Sequence, residues 1–138
     1  MQPTQLFRGV VGSHYGLDVT AQSAQLFAAK LAPSWKMVMA AKRKRIPWEV
    51  FRQQYEQLLD MNWQLYHREI LETLDHASLE YSVDLAPQLH LLCYCQEGKD
   101  RCHAELLIDW LCENAPHAFV RGGSAATFPD LSLLEGGL

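Results

Sequence analysis

The sequence predicts a small α/β domain with a mostly parallel sheet. Three segments carry that expectation. Residues 5–11 open the chain with a short strand that is β-branched at its end. Far downstream, Leu89-His90-Leu91-Leu92-Cys93-Tyr94-Cys95 is a compact apolar run bounded by polar turn residues, the pattern of a buried strand. Residues 104–114 then place Leu106, Leu107, Ile108, Trp110 and Leu111 on nearly every side of a helix, and a further extended stretch follows at 117–121. A strand, a crossover helix and another strand form the parallel α/β unit, with a right-handed crossover.

The remaining elements follow in order. Gly12-Ser13-His14-Tyr15-Gly16 reads as a loop, because two glycines and a serine interrupt any periodicity. Residues 16–20 form a second short extended piece, and 21–32 read as a loop with a helical turn. Pro33 fits the first turn of a helix, where its missing N–H is not needed. Trp35, Val38, Met39 and Lys42 continue at helical spacing to about Arg45. Pro47 opens the next helix, whose apolar stripe is Trp48, Phe51, Tyr55, Leu58 and Leu59. The stripe resumes at Leu65 or Tyr66, Ile70, Leu71 and Leu74, so one helix bends near Asn62 or two helices meet there. Residues 33–76 are thus a helical insert between the first strands and the strand at 89–95, and helices flank the sheet. Residues 84–88 connect, 96–100 turn, and Gly122-Gly123 close the domain at 1–123. Residues 124–138 read as a loosely held tail that docks through Phe128, Leu131 and Leu134.

Composition narrows the function classes. A chain of 138 residues, 49% hydrophobic and 20% charged, is one globular domain with a real core. No apolar run approaches the roughly 20 residues that span a bilayer. The opening residues lack a basic region followed by an apolar one, so a cytoplasmic location is expected. There, four cysteines serve as thiols or metal ligands rather than disulfides. A net charge of −4 argues against nucleic acid as the partner. The local exception, Lys42-Arg43-Lys44-Arg45, reads first as a solvated helix end facing the negative pole of the helix dipole, with anionic-ligand or nucleic-acid contact as the alternative. No repeat, dinucleotide fingerprint or Walker loop is present.

The candidate site is the segment 93–103. Open parallel sheets bind ligands beyond the carboxyl ends of their strands, beside helix N-termini whose free N–H groups favour anions. Strand alternation puts Cys93 and Cys95 on one face with Tyr94 opposite, and Arg101, Cys102 and His103 fall at the helix start. Three readings stay open. The segment binds an anionic small molecule of nucleotide type through helix N–H groups, Arg101 and His103. Alternatively, Cys102 is a catalytic thiolate, activated by its helix N-terminus and Arg101, with His103 as acid or base. In the third, Cys93, Cys95, Cys102 and His103 hold zinc, although their spacing departs from the usual C-x₂₋₄-C and H-x₃₋₅-H patterns. Against all three stands a set of buried structural cysteines with a satisfied histidine. Cys112 is structural in every case.

Leu91-Leu92-Cys93-Tyr94-Cys95, a short charged turn, Cys102-His103 and Leu107-x-x-x-Leu111 resemble the signature of the domain of unknown function 488 family. Upstream, Gly16-Leu17-Asp18-Val19-Thr20, Ala32-Pro33-Ser34-Trp35, residues 42–46 and Tyr55 resemble a branch of that family found in bacteria and their phages. The resemblance spans roughly residues 10–112, implies a small α/β fold and adds no assigned activity. It departs at Ala104, where the family commonly has arginine; if that arginine holds an anion in relatives, either Arg101 or Arg121 replaces it or the ligand differs. It also draws in Asp18, Thr20 and Trp35, with His14 and Tyr15 from the preceding loop. If the first strand lies beside the strand at 89–95, Asp18 faces Cys102 across the sheet edge. The resulting expectation is binding of a nucleotide-like or phosphorylated small molecule, with no cofactor and with a homodimer allowed. The alternatives are a cysteine-dependent hydrolase or transferase, using Cys102 and His103, and a phage or host protein-interaction module.

Overall fold

Alternating side chains in the strands decide which face of the sheet becomes the core. In the computed structural model, which describes residues 2–81, 87–94 and 101–122, the strands are β1 (Thr4–Val10), β2 (Leu17–Asp18), β3 (Gln88–Cys93) and β4 (Phe119–Arg121). They lie in the order β2-β3-β1-β4, and every pairing is parallel. Leu6 pairs with Leu89 and Arg8 with Leu91, while Phe7 pairs with His90 between them. Leu6, Leu89 and Leu91 therefore share one face, and Phe7 and His90 share the other.

The helices are a 3-10 helix at Leu26–Leu31, α1 (Trp35–Lys42), α2 (Trp48–Tyr81) and α3 (His103–Asn114). Both crossovers travel the same way across the sheet: β2 to its neighbour β3 through α2, then β3 past β1 to β4 through α3. Right-handed crossovers in one direction leave their helices on one face. Accordingly, Phe51, Tyr55, Leu59, Ile70 and Leu74 of α2 and Leu107, Ile108 and Leu111 of α3 join Leu6, Leu89 and Leu91 in a single core. The 11–16 loop crosses the other face of β3. Its Gly16 lies so close to the His90 carbonyl that a Cβ would collide with backbone.

The expected elements are present, with shifted ends. The strand predicted at 89–95 closes at Cys93, and the helical turn expected in 21–32 is the 3-10 helix. The insert is longer than predicted and is irregular at Tyr66 (φ −135°, ψ 21°) rather than near Asn62. Asn62 is buried and donates from Nδ2 to the Lys30 carbonyl at 2.9 Å. The Tyr66 ring lies against Phe27 and under Lys30 Nζ, at 6.0 and 4.7 Å. The irregular residue thus sits where the helix grips the 3-10 segment, a contact that periodicity does not reveal. Among the described residues no helix is long and apolar enough to cross a membrane. Cys95, the turn at 96–100, Gly123 and the tail at 124–138 lie outside the described residues.

Candidate functional site

The end of α1 shapes one wall of the site. Ser34 caps the helix by accepting from the Met37 N–H at 3.2 Å. At the other end, the Lys44 N–H donates to the Ala41 carbonyl and the Arg45 N–H to the Ala40 carbonyl, at 3.1 and 2.9 Å. That pair of bonds is a Schellman motif, and its C′ position is usually glycine because the backbone there is left-handed. Here it is Lys44, at φ 58°. The chain then turns through Ile46 and Pro47 into α2, opening a cleft of about 760 Å³. Val38, Ile46, Trp48 and Phe51 make its apolar walls, and Lys42, Lys44, Arg101 and His103 bring it four basic side chains.

His103, the first residue of α3, joins this cleft to a recess of about 90 Å³ lined by Thr20, Trp35, Lys42 and Tyr94. Its Nε2 lies 3.0 Å from the Val19 carbonyl. A carbonyl only accepts, so Nε2 carries the proton and donates. Burial lowers the His103 pKa, and Cys102, the Val19 carbonyl and Asp18 oppose that shift less strongly. The ring is therefore neutral at pH 7, with Nδ1 left as a base or hydrogen-bond acceptor. Tyr55 packs edge-on against it at 6.1 Å and donates its hydroxyl to the Leu31 carbonyl. Burial, then the proximity of Cys102, raises the Tyr55 pKa well above its ordinary value, so the phenol stays neutral.

Asp18 works behind the cleft. Its carboxylate accepts from the Thr20 N–H at 2.8 Å, from Thr20 Oγ1 at 2.7 Å and from Ser23 Oγ. Ser23 Oγ in turn shares a 3.0 Å bond with the Tyr94 hydroxyl. These bonds hold the turn that presents the Val19 carbonyl to His103. Cys102 is the N-cap of α3, buried with Cys93 and Ala104. Its thiol donates to Cys93 Sγ at 3.2 Å, and Cys93 donates to the Gly9 carbonyl at 3.4 Å.

The structure brings Thr20, Trp35, Arg101 and His103 together, with Asp18 as their support and Cys102 beneath. It does not bring His14 or Tyr15 to them. His14 accepts the Val10 N–H on Nδ1 at 2.9 Å and stacks on His90 at 5.4 Å, on the sheet face away from α3. Tyr15 is 86% exposed. Lys42 and Lys44 enter the cleft although the basic run reads first as a solvated helix end; Trp48 and Phe51 wall it from the core side, Phe51 as a buried core residue and Trp48 packed against the core. The local hint was a basic run, residues 42–45, that continues past the last helical residue with no glycine where the helix ends.

A family model described as the active DUF488-N3 subclade, DUF488-N3a, matches residues 8–115. The chain belongs to the DUF488 family. No curated protein and no solved structure matches it. Within this DUF488 domain, the position after Cys102-His103 is Ala104, fully buried against the two cysteines. Of Arg101 and Arg121, the latter is engaged by Glu105 and by Asp109 at 2.6 Å. Arg101 is the one that lines the cleft. Among the described residues no group of three His, Cys, Asp or Glu side chains is placed to hold a metal ion, and Cys95 of the zinc reading falls outside them.

Proposed function

We propose that this DUF488 domain binds a nucleotide-like or phosphorylated small molecule in the cleft between α1, the start of α2 and the start of α3. The observation that carries the reading is the convergence of Lys42, Lys44 and Arg101 on one apolar-walled cleft. Three cations from two chain segments, the end of α1 and the residue before Cys102, suit a phosphate group, and the indole and phenyl walls suit a flat or apolar moiety. Neutral His103, with Nε2 committed to Val19, offers an acceptor rather than a positive charge. A matching ligand therefore carries a donor, such as a hydroxyl or amino group, as well as its anion.

The geometry supports binding better than cysteine catalysis. Cys102 is 1% exposed and its thiol points to Cys93 rather than to the cleft. A thermal-shift screen against nucleotides, cyclic nucleotides and sugar phosphates tests the reading, because a ligand of the native state raises its melting temperature. At 100 times its Kd, one ligand adds roughly 2.7 kcal/mol to stability. A shift that Lys42→Ala and Arg101→Ala each reduce supports the proposal. No shift across the panel, or one that survives both substitutions, refutes it.

A further inference from the structure

Beyond the ligand cleft, one pair of thiol side chains is left without a role. Cys93 closes β3 and Cys102 caps α3. Their sulfurs are 3.2 Å apart, and both residues are buried, at 0% and 1% exposure. The third described cysteine, Cys112, lies elsewhere on α3, its thiol pushed up by burial. The contact is directional: Cys102 donates to Cys93, and Cys93 donates onward to the Gly9 carbonyl. With its proton sent to Gly9, the Cys93 sulfur turns a lone pair toward Cys102. A disulfide needs the two sulfurs to close by roughly 1 Å, to about 2.05 Å.

We propose that Cys93 and Cys102 are an oxidation site, a dithiol that peroxide-class oxidants convert reversibly to an intramolecular disulfide. The Cys102 sulfur attacks one oxygen of the peroxide. The O–O bond breaks, the other oxygen leaves as water, and Cys102 becomes a sulfenic acid. The Cys93 sulfur then attacks the Cys102 sulfur, the S–O bond breaks and a second water leaves. In sum, two thiols and one hydrogen peroxide give one disulfide and two waters. A small oxidant is required because neither sulfur is open to a bulky disulfide, and the first-formed sulfenic acid has its resolving thiol already in contact. When the site opens, two equivalents of an external thiol reverse the bond by exchange: the first forms a mixed disulfide, and the second releases it as the external disulfide with both protein thiols restored.

The link would tie the last residue of β3 to the residue before α3. Tyr94 and Arg101, which line the recess and the cleft, lie inside the closed loop. Oxidation is therefore expected to weaken ligand binding. That consequence rests on the proposed function, whereas the bond itself does not.

The experiment uses the full chain carrying Cys95→Ser and Cys112→Ser, so that Cys93 and Cys102 are its only thiols. It is treated with hydrogen peroxide under native conditions, quenched, denatured, alkylated and weighed. The expected product has lost both alkylatable thiols and two hydrogens, and dithiothreitol restores both. Adding Cys93→Ser should instead leave Cys102 with added oxygen and no reducible link. The unsubstituted chain provides a check independent of these variants. Cleavage after Lys99 and Arg101 leaves Cys93 with Cys95 on one peptide and Cys102 with Cys112 on the other; after oxidation the two should be joined with Cys95 and Cys112 still alkylated, and after reduction they should be separate. Two thiols that stay alkylatable, or that gain oxygen without joining, overturn the proposal. Ligand response is read separately, so a disulfide in a chain that binds nothing counts against the proposed function alone.

Discussion

Lys44 is held in the left-handed region at φ 58°, where a side chain costs roughly 1 kcal/mol or more relative to glycine. The same residue supplies a cation to the cleft, which offers a reason for a strained lysine at a position that glycine usually fills. Lys44→Gly should therefore raise unfolding stability by up to about 1 kcal/mol while weakening anionic-ligand binding. Urea titration and the thermal-shift response measure the two effects. A variant that binds as well as the parent removes Lys44 from the site. His103 yields a pH prediction. Burial holds its folded pKa below 6.5, so between that folded value and 6.5 the unfolded chain binds more protons than the native one. Stability is then full above about pH 6.5 and falls as pH drops through that window. His90 adds the same sign, lowered by burial and then by His14. His103→Gln should flatten the dependence of the urea midpoint on pH between about 7.5 and 5. An unchanged slope would mean that the ring is not the buried neutral group described.

At the scale of elements, α1 is short and none of its residues is fully buried, so its ends matter more than its packing. Eight residues are too few for a helix to persist on propensity alone. Ser34 at its N-terminus and the Schellman bonds at its C-terminus satisfy backbone groups that the helix leaves open. Ser34→Ala should cost roughly 0.5–2 kcal/mol, and amide exchange should show the loss concentrated in residues 35–45. Because Val38 and Lys42 ride on this helix, ligand affinity should fall with it. Uniform loss of protection across α1 and α3 would show instead that α1 does not open separately. The crossing of the 11–16 loop over β3 shows the opposite economy. Gly16 contributes no side chain, and that absence lets the loop lie against His90.

Across the whole molecule, both crossover helices share one face of the sheet, so β1, β3, α2 and α3 depend on one core. Leu107 is fully buried at its centre. Leu107→Ala should destabilise by about 2–5 kcal/mol, a large part of the 5–15 kcal/mol typical of a domain. Far-UV and near-UV circular dichroism should lose signal at one shared, lowered midpoint. Separate midpoints would mean that α2 and the sheet hold independent cores.

Periodicity and turn chemistry were enough for the strands, the order of helices and the parallel α/β class. Leu89, Leu91, Leu92 and Cys93 and the apolar helix behind them are buried because their side chains leave no other option. His103 and Arg101 were legible because a strand, a turn and a helix N-terminus are adjacent in sequence. What required the tertiary structure was every long-range meeting: Lys42 and Lys44 with Arg101, the Val19 carbonyl with His103, and His14 on the far face. Those contacts follow from crossover direction and from a left-handed residue at the end of α1, neither of which is written in local pattern. The helix start at Cys102-His103 thus divides in two. The histidine reaches the cleft, and the cysteine turns inward to Cys93, because the β-region backbone of the N-cap and the helical backbone of the next residue aim neighbouring side chains apart.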